Sequence, residues 1–334
     1  MINNLWIVIT TINKPTQAIV DYAKIARRMG WKLLIVGDAK TPSNAYDGFD
    51  CTYLSLDAQK KHWEKFSQLV PLNHYCRKNI GYLYAFLNGA EWVFDTDDDN
   101  IPIEGFADTL TSTRVANVVT RDGFVNVYKY FSEEPVWPRG IPLADIQQRG
   151  ELVGTTDPRS FFITQFLADE DPDVDAIYRL TNNHRIAFDR TAPPLLLKPG
   201  TWSPFNSQAT LIHRKYFRTL YLPCHVPFRM TDIWRSFVAQ KVLWQDNEGV
   251  AFIGPNVVQE RNPHDFFKDF KDEILGYLHN HEIRANLDSL SLDGMSPGAQ
   301  LVACYQAMQS IGVVESREFD VIGEWNLLFD RLSV

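Results

Sequence analysis

Four aspartates within five residues, Asp95, Asp97, Asp98 and Asp99 of Asp95-Thr-Asp-Asp-Asp-Asn100, carry the plainest chemical signal in this 334-residue chain. Carboxylates so crowded repel one another unless a cation sits among them. Hard oxygen donors at this density suit Mg2+ or Mn2+ holding a diphosphate. A calcium loop of the EF-hand type needs Gly at 100 and Glu at 106, where Asn100 and Phe106 stand. A phosphatase motif of the DxDx(T/V) form follows a first strand and needs Thr or Val where Asp99 stands. The bland alternative is a solvated acidic turn. Upstream, Arg77 and Lys78 open a helix at the end whose dipole disfavours cations. An anionic partner explains them economically, and a salt bridge to the acidic cluster is the alternative. Downstream, Thr231 reads as the N-cap of an apolar helix with Asp232 in its first turn. In Gln259-Glu-Arg-Asn-Pro-His-Asp265, Asn262 reads as a cap and Pro263 as the first helical residue. Arg261 and His264 would then meet free amides at a helix start, a natural place for phosphate. His264 could equally ligate a metal or lie on the surface.

The elements that must position these groups alternate over the first hundred residues. Leu5–Thr10, Lys32–Gly37, Cys51–Leu56 and Glu91–Asp95 read as strands. Helical spacing runs from about Thr16 to Met29, closed by Gly30, and from His74 to Asn88, closed by Gly89. Gly81 inside the second helix predicts close packing on the sheet. Such alternation implies a parallel sheet with helices on both faces, with ligands beyond the carboxyl ends of the strands. The acidic cluster sits at one such end. From about Asn117 to Leu220 the pattern is mixed, with short strands at Ala116–Thr120 and Val125–Phe131 and proline-rich bends. Beyond Thr231 helices dominate, at Asp232–Trp244, Pro263–His279 and Ser296–Ile311. No repeat, low-complexity tract or long linker divides the chain. The expectation is one α/β body, with residues 1–260 as the ligand-binding and catalytic unit and 261–334 as a helical C-terminal cap packed on it.

Composition narrows the function classes. Hydrophobic residues make up 45% and charged residues 22%, which excludes disorder or a coiled coil as the main theme. Lys+Arg 33 against Asp+Glu 41 gives a net charge of −8, which argues against nucleic-acid binding through a general basic surface. The four cysteines, Cys51, Cys76, Cys224 and Cys304, are far apart with no CxxC pair, so cysteine spacing offers no zinc site and a reduced, cytoplasmic compartment is expected. No apolar run approaches the ~20 residues of a membrane span, and the run at Leu5–Ile9 is too short for a signal-peptide core. A soluble protein with no integral membrane segment is the expectation.

A D-x-D pair delivered to a strand end after three βα units resembles the way GT-A glycosyltransferases hold a nucleotide-sugar diphosphate. Further segments carry a resemblance to one family. They include Val36-Gly-Asp-Ala-Lys-Thr-Pro42, Tyr75-Cys-Arg-Lys-Asn-Ile-Gly-Tyr-Leu83, Phe94–Asn100 and Trp137-Pro-Arg-Gly-Ile-Pro-Leu143. Asp173–Arg179, Asn206–Thr210, Leu222–Arg235 and Gln259–Asp265 continue it in order over most of the chain. Together they resemble the STELLO family of glycosyltransferases, whose plant members resemble type II Golgi membrane proteins linked to cellulose synthesis. The resemblance implies a GT-A-like fold and a glycosyltransferase; the QxxRW motif of processive sugar transferases is absent.

The expected activity is metal-dependent transfer of a sugar from a nucleoside diphosphate donor, a UDP-sugar first among them, to a hydroxyl acceptor with inversion. On this reading Thr10, Thr11, Asp38 and Lys40 frame the base and ribose. Asp97 reaches the ribose or metal waters and Asp99 binds Mn2+ or Mg2+, with Asp95/Asp97 as the alternative frame and His264 as a further ligand. Arg77, Lys78, Arg261 and His264 face the diphosphate, and Asp232 acts on the acceptor. The rival from another class is a non-catalytic nucleotide-sugar-binding or scaffold protein assisting polysaccharide synthesis. A sugar nucleotidyltransferase is disfavoured because Thr10–Thr16 lacks the expected Gly-rich phosphate loop.

Overall fold

The apolar runs of the first hundred residues become neighbouring parallel strands in a computed structural model, which describes residues 2–110, 113–182, 184–260 and 265–332. These are β1 (Leu5–Thr11), β2 (Lys32–Gly37), β3 (Thr52–Leu54) and β4 (Trp92–Thr96). Helix α1 (Gln17–Met29) returns the chain from β1 to β2. Thr16 accepts from the Ile19 amide at its start, and Gly30 ends it with a φ of 70°. Short helices α2 (Leu56–His62) and α3 (Glu64–Leu69) follow β3. The helix expected from His74 opens as a 3₁₀ turn at Tyr75–Arg77 and becomes α-helical only as α4 (Lys78–Leu87). Gly81 is where α4 meets the sheet: a Cβ there would lie 2.7 Å from Val36 Cγ2 and 2.8 Å from Val8 Cγ1.

Seven further strands extend the sheet: β5 (Asn100–Pro102), β6 (Asn117–Thr120), β7 (Glu151–Thr155), β8 (Ile163–Asp169), β9 (Leu195–Leu197), β10 (Ala209–His213) and β11 (Ala251–Gln259). The order is β3-β2-β1-β4-β10-β8-β11-β9-β6-β7, with β5 laid on β11. Strand β10 is antiparallel to both β4 and β8, and β11 is parallel to β8. The carboxyl ends of β1, β2, β4, β8 and β11 therefore share one edge with the amino end of β10.

One reading of the middle of the chain changes. Val125–Phe131 is not a strand: Gly123–Phe124 pairs with Thr201–Trp202, and Val127–Tyr130 is a 3₁₀ turn started by Asn126. Helices dominate beyond Thr231, and β11 runs through the sheet within that stretch.

Helices α5 (Phe106–Thr109) and α6 (Ala176–Thr181) are short. The remaining four are α7 (Thr231–Leu243), α8 (Phe266–Ser289), α9 (Pro297–Gln309) and α10 (Glu318–Leu332). All thirteen residues of α7 are buried, with α8 and α9 packed against it. Thr231 lies inside α7 with helical dihedrals instead of capping it. The Asp265 carboxylate takes the Phe267 and Lys268 amides at the start of α8, and the expected cap Asn262 and first helical residue Pro263 lie outside the described residues. Among the described residues no helix is long and apolar enough to cross a membrane.

Candidate active site

The shared edge carries a cleft of about 230 Å³. Thr10 comes from the end of β1, Asp97, Asp98 and Asp99 from the turn after β4, and Asp173 from the loop after β8. Asn206, Ser207 and Gln208 precede β10, Gln259 ends β11, and Asp232 begins α7. A neighbouring hollow of about 250 Å³ is lined by Thr10, Thr11, Asn13, Asp38, His74, Tyr75 and Phe228. Thr10, Tyr75, Asp98 and Phe228 face both, so the two are continuous. The strand order makes this convergence: the antiparallel β10 brings a segment more than a hundred residues away beside the acidic turn.

The four aspartates have four different surroundings. Asp95 is fully buried between two cations, Lys78 Nζ at 2.9 Å and Arg235 Nη1 at 3.0 Å, and so cannot reach a metal in the cleft. Asp98 lines the cleft as well, and its Oδ2 accepts from Thr11 and, at 2.9 Å, from Asn13 Nδ2 of the loop after β1. Asp97 and Asp99 are part-exposed to the cleft. Lys78 Nζ donates to Asp97 Oδ1 at 2.8 Å, and Gln259 Nε2 to Asp99 Oδ2 at 3.2 Å. Strand β5, paired with β11, holds Asp99 beside Gln259. Burial, together with the charges of Asp99 and Asp95, pushes the Asp97 carboxyl up to about 7 despite Lys78. A site that raises a carboxylate in this way favours a bound cation.

Two hard carboxylates facing open space fit Mg2+ or Mn2+, which takes one or two protein carboxylates and completes its shell with water and substrate phosphates. Among the described residues no group of three or more metal-ligating side chains occurs. Arg261 and His264 lie outside the described residues.

Three expected ligand-binding residues are placed elsewhere. Arg77 is fully buried and does not face the cleft. Its Nε donates to Gln59 Oε1 at 2.9 Å and its Nη1 to the Val70 carbonyl at 2.9 Å, while Nη2 reaches Ser67 Oγ at 3.1 Å. Gln59 in turn donates to the carbonyls of Gly37 and Leu54, tying the ends of β2 and β3 together. Lys78 is also fully buried: beneath the acidic turn it donates to Asp95, to Asp97 and to the Thr96 carbonyl at 2.8 Å. Burial works against its charge, and Asp95 and Asp97 outweigh that, so its pKa is raised and it stays protonated. Lys40 is exposed and does not line the hollow. Thr10, Thr11 and Asp38 do line it. Asp38 is fixed there by accepting from the His74 amide at 3.1 Å.

Across the cleft Arg139 lies between two carboxylates. Its Nε and Nη2 donate to Asp173 at 2.8 and 2.7 Å, and its Nη1 and Nη2 to Asp232 at 3.0 Å each. Tyr75 Oη at 3.1 Å and the Ser207 amide at 3.2 Å complete the donors to Asp232 from other elements. Burial alone would raise the Asp232 carboxyl, but the Arg139 charge outweighs it and holds the group below the usual carboxylate range. The helix dipole acts in the same direction. Sequence reasoning about single residues missed Arg139, Asp173, Tyr75, Phe228 and Gln259. Each nonetheless lies in one of the segments that carry the family resemblance.

Comparison with known proteins agrees with those segments. Residues 229–307 match the family model of the STELLO glycosyltransferases. Two Arabidopsis thaliana proteins, named "Probable glycosyltransferase STELLO2" and "Probable glycosyltransferase STELLO1", are 30% identical over 272 residues and 29% identical over 270. Each alignment takes in 75% of this chain but only 35% or 34% of the relative, so the chain spans about a third of the length of the curated relatives it matches. Glucosyl-3-phosphoglycerate synthase from Mycobacterium tuberculosis, solved with Mn2+, UDP-glucose and phosphoglyceric acid, is 11% identical with a TM-score of 0.39, over 94% of this chain and 81% of that one. The same enzyme with Mg2+ and UDP is 10% identical with a TM-score of 0.38, over 84% and 79%. By sequence, over three quarters of its length, the chain is similar to the STELLO glycosyltransferases.

Proposed function

We propose that this protein is a metal-dependent glycosyltransferase of GT-A-like architecture, moving a sugar from a UDP-sugar to a hydroxyl acceptor with inversion. The observation that carries the reading is one continuous cleft at the carboxyl ends of the strands. It has the part-open carboxylates Asp97 and Asp99 on one wall and Asp232 on the other. The adjoining hollow, with its aromatic side chains His74, Tyr75 and Phe228, is suited to a nucleoside. Asp97 and Asp99 would hold the cation, with Lys78 fixing Asp97 from below. A bound Mn2+ or Mg2+ would neutralise charge growing on the departing diphosphate. Asp232 would take the proton of the acceptor hydroxyl as its oxygen bonds to the anomeric carbon and the diphosphate leaves with the bonding electrons. Being held ionised, Asp232 is a weak base at rest, and its task falls in the transition state, where the hydroxyl acidifies. The catalytic unit would be residues 1–260, with α8 to α10 as the helical extension that supports α7.

Mass-spectrometric screening of nucleotide sugars, with and without sugar acceptors, tests the reading. The expected result is Mn2+-supported release of UDP from one donor, abolished by chelator. No turnover of any donor, with nucleotide binding retained, would favour a non-catalytic sugar-nucleotide-binding protein instead.

A further inference from the structure

Tyr75 joins the two halves of the cleft. Its ring lines both the nucleoside-sized hollow and the cleft beside Asp232. The ring is stacked on His74, with centroids 5.5 Å apart and planes at 10°, and meets Phe228 edge-on at 4.8 Å. Its hydroxyl sits at the start of α7: it accepts from the Asp232 amide at 3.0 Å, and it donates toward Asp232 Oδ1 at 3.1 Å and the Phe228 carbonyl at 3.3 Å.

We propose that Tyr75 is a positioning residue that couples donor binding to Asp232, its ring forming a wall of the nucleoside subsite and its hydroxyl holding the carboxylate that meets the acceptor. The inference rests on the reading of the cleft given above. The remaining donors to Asp232 from other elements are the Arg139 guanidinium, itself clamped on Asp173, and the Ser207 amide, and neither has slack. The Tyr75 hydroxyl carries one proton and has two acceptors. It can give up Oδ1 to an incoming acceptor hydroxyl and turn its proton to the Phe228 carbonyl, while its oxygen keeps the Asp232 amide. Burial and the nearby Asp232 charge raise its pKa well above that of an ordinary tyrosine, so the proton stays available for donation. A nucleoside stacked against the ring would fix the same side chain that orients Asp232.

The test uses UDP with Mn2+ for binding by calorimetry and UDP-glucose with Mn2+ for turnover, with thermal melting as the control for folding. Tyr75→Phe keeps the ring. It should bind UDP within about twofold of wild type while kcat falls at least about tenfold at unchanged donor KM, the loss expected for a hydrogen bond to a charged group. Tyr75→Ala should in addition lose about tenfold or more in UDP affinity, as for a removed stacking partner. Wild-type turnover in Tyr75→Phe, or wild-type UDP affinity in Tyr75→Ala, would overturn the role of Tyr75 alone. A wild-type protein that neither binds UDP nor turns over UDP-glucose would overturn the reading of the cleft, and the proposal with it.

Discussion

Arg77 and Lys78 are adjacent in sequence and both fully buried, yet they do different work. Arg77 holds Gln59, Ser67 and Val70, so it serves the scaffold and stands apart from the cleft. Arg77→Ala leaves the Gln59 amide oxygen, the Ser67 hydroxyl and the Val70 carbonyl without their charged donor. Melting and denaturant titration should show a loss of at least about 2 kcal/mol, with UDP affinity in Mn2+ close to wild type in whatever protein remains folded. The reverse pattern would return Arg77 to the diphosphate. Sequence reasoning could see a cation at a helix start, but not that α2 and α3 fold back to meet it. Arg139 makes Asp232 a poor base at rest. Asp232→Asn should keep UDP affinity and lower turnover ~10²–10⁴-fold, the usual size of a lost general base. Undiminished turnover would leave Asp232 as a partner of Arg139 only, and a product with the donor's anomeric configuration would contradict single displacement.

At the level of elements, α4 packs directly on the sheet at Gly81. Gly81 admits the helix between Val8 and Val36, so Gly81→Val should cost ~1–3 kcal/mol by overpacking, measured by chemical denaturation. A neutral Gly81→Val would mean that α4 can withdraw from β1 and β2 without strain. The helix then delivers Lys78 to Asp95, while α7 delivers Arg235 to the other oxygen of the same carboxylate. Removing one partner of such a buried group leaves an uncompensated charge. Arg235→Met should therefore lose ~3–5 kcal/mol in the same assay, and a variant as stable as wild type would show that Lys78 alone satisfies Asp95. These elements differed in how readily they could be read. Strand β4 and its acidic turn are local, an apolar run followed by a cluster, and stand out in sequence. Strand β8, Ile163-Thr-Gln-Phe-Leu-Ala-Asp169, is buried on both faces, so Thr164 and Gln165 interrupt the pattern without marking a solvent side. Strand β11 carries Gly254-Pro255 in its middle and reads as a turn, although it is a central strand.

For the whole molecule, function would follow from strand order more than from any single motif. One wall of the cleft, Asp97 and Asp99, was legible because it is contiguous. The facing wall, Arg139, Asp173, Asn206 to Gln208 and Asp232, is assembled from four segments that only the β4-β10-β8-β11 arrangement brings together. No spacing rule in the sequence encodes that meeting, although the segments that carry the STELLO resemblance contain its members. If this assembled cleft binds a nucleoside diphosphate through a cation on Asp97 and Asp99, calorimetry of UDP with the protein will register it. The expected result is measurable binding in Mn2+, loss of at least about tenfold in affinity in chelator, and the same loss in the Asp97→Asn, Asp99→Asn double variant with Mn2+ present. Equal affinity with Mn2+ and with chelator, or a double variant that binds as wild type does, would contradict it.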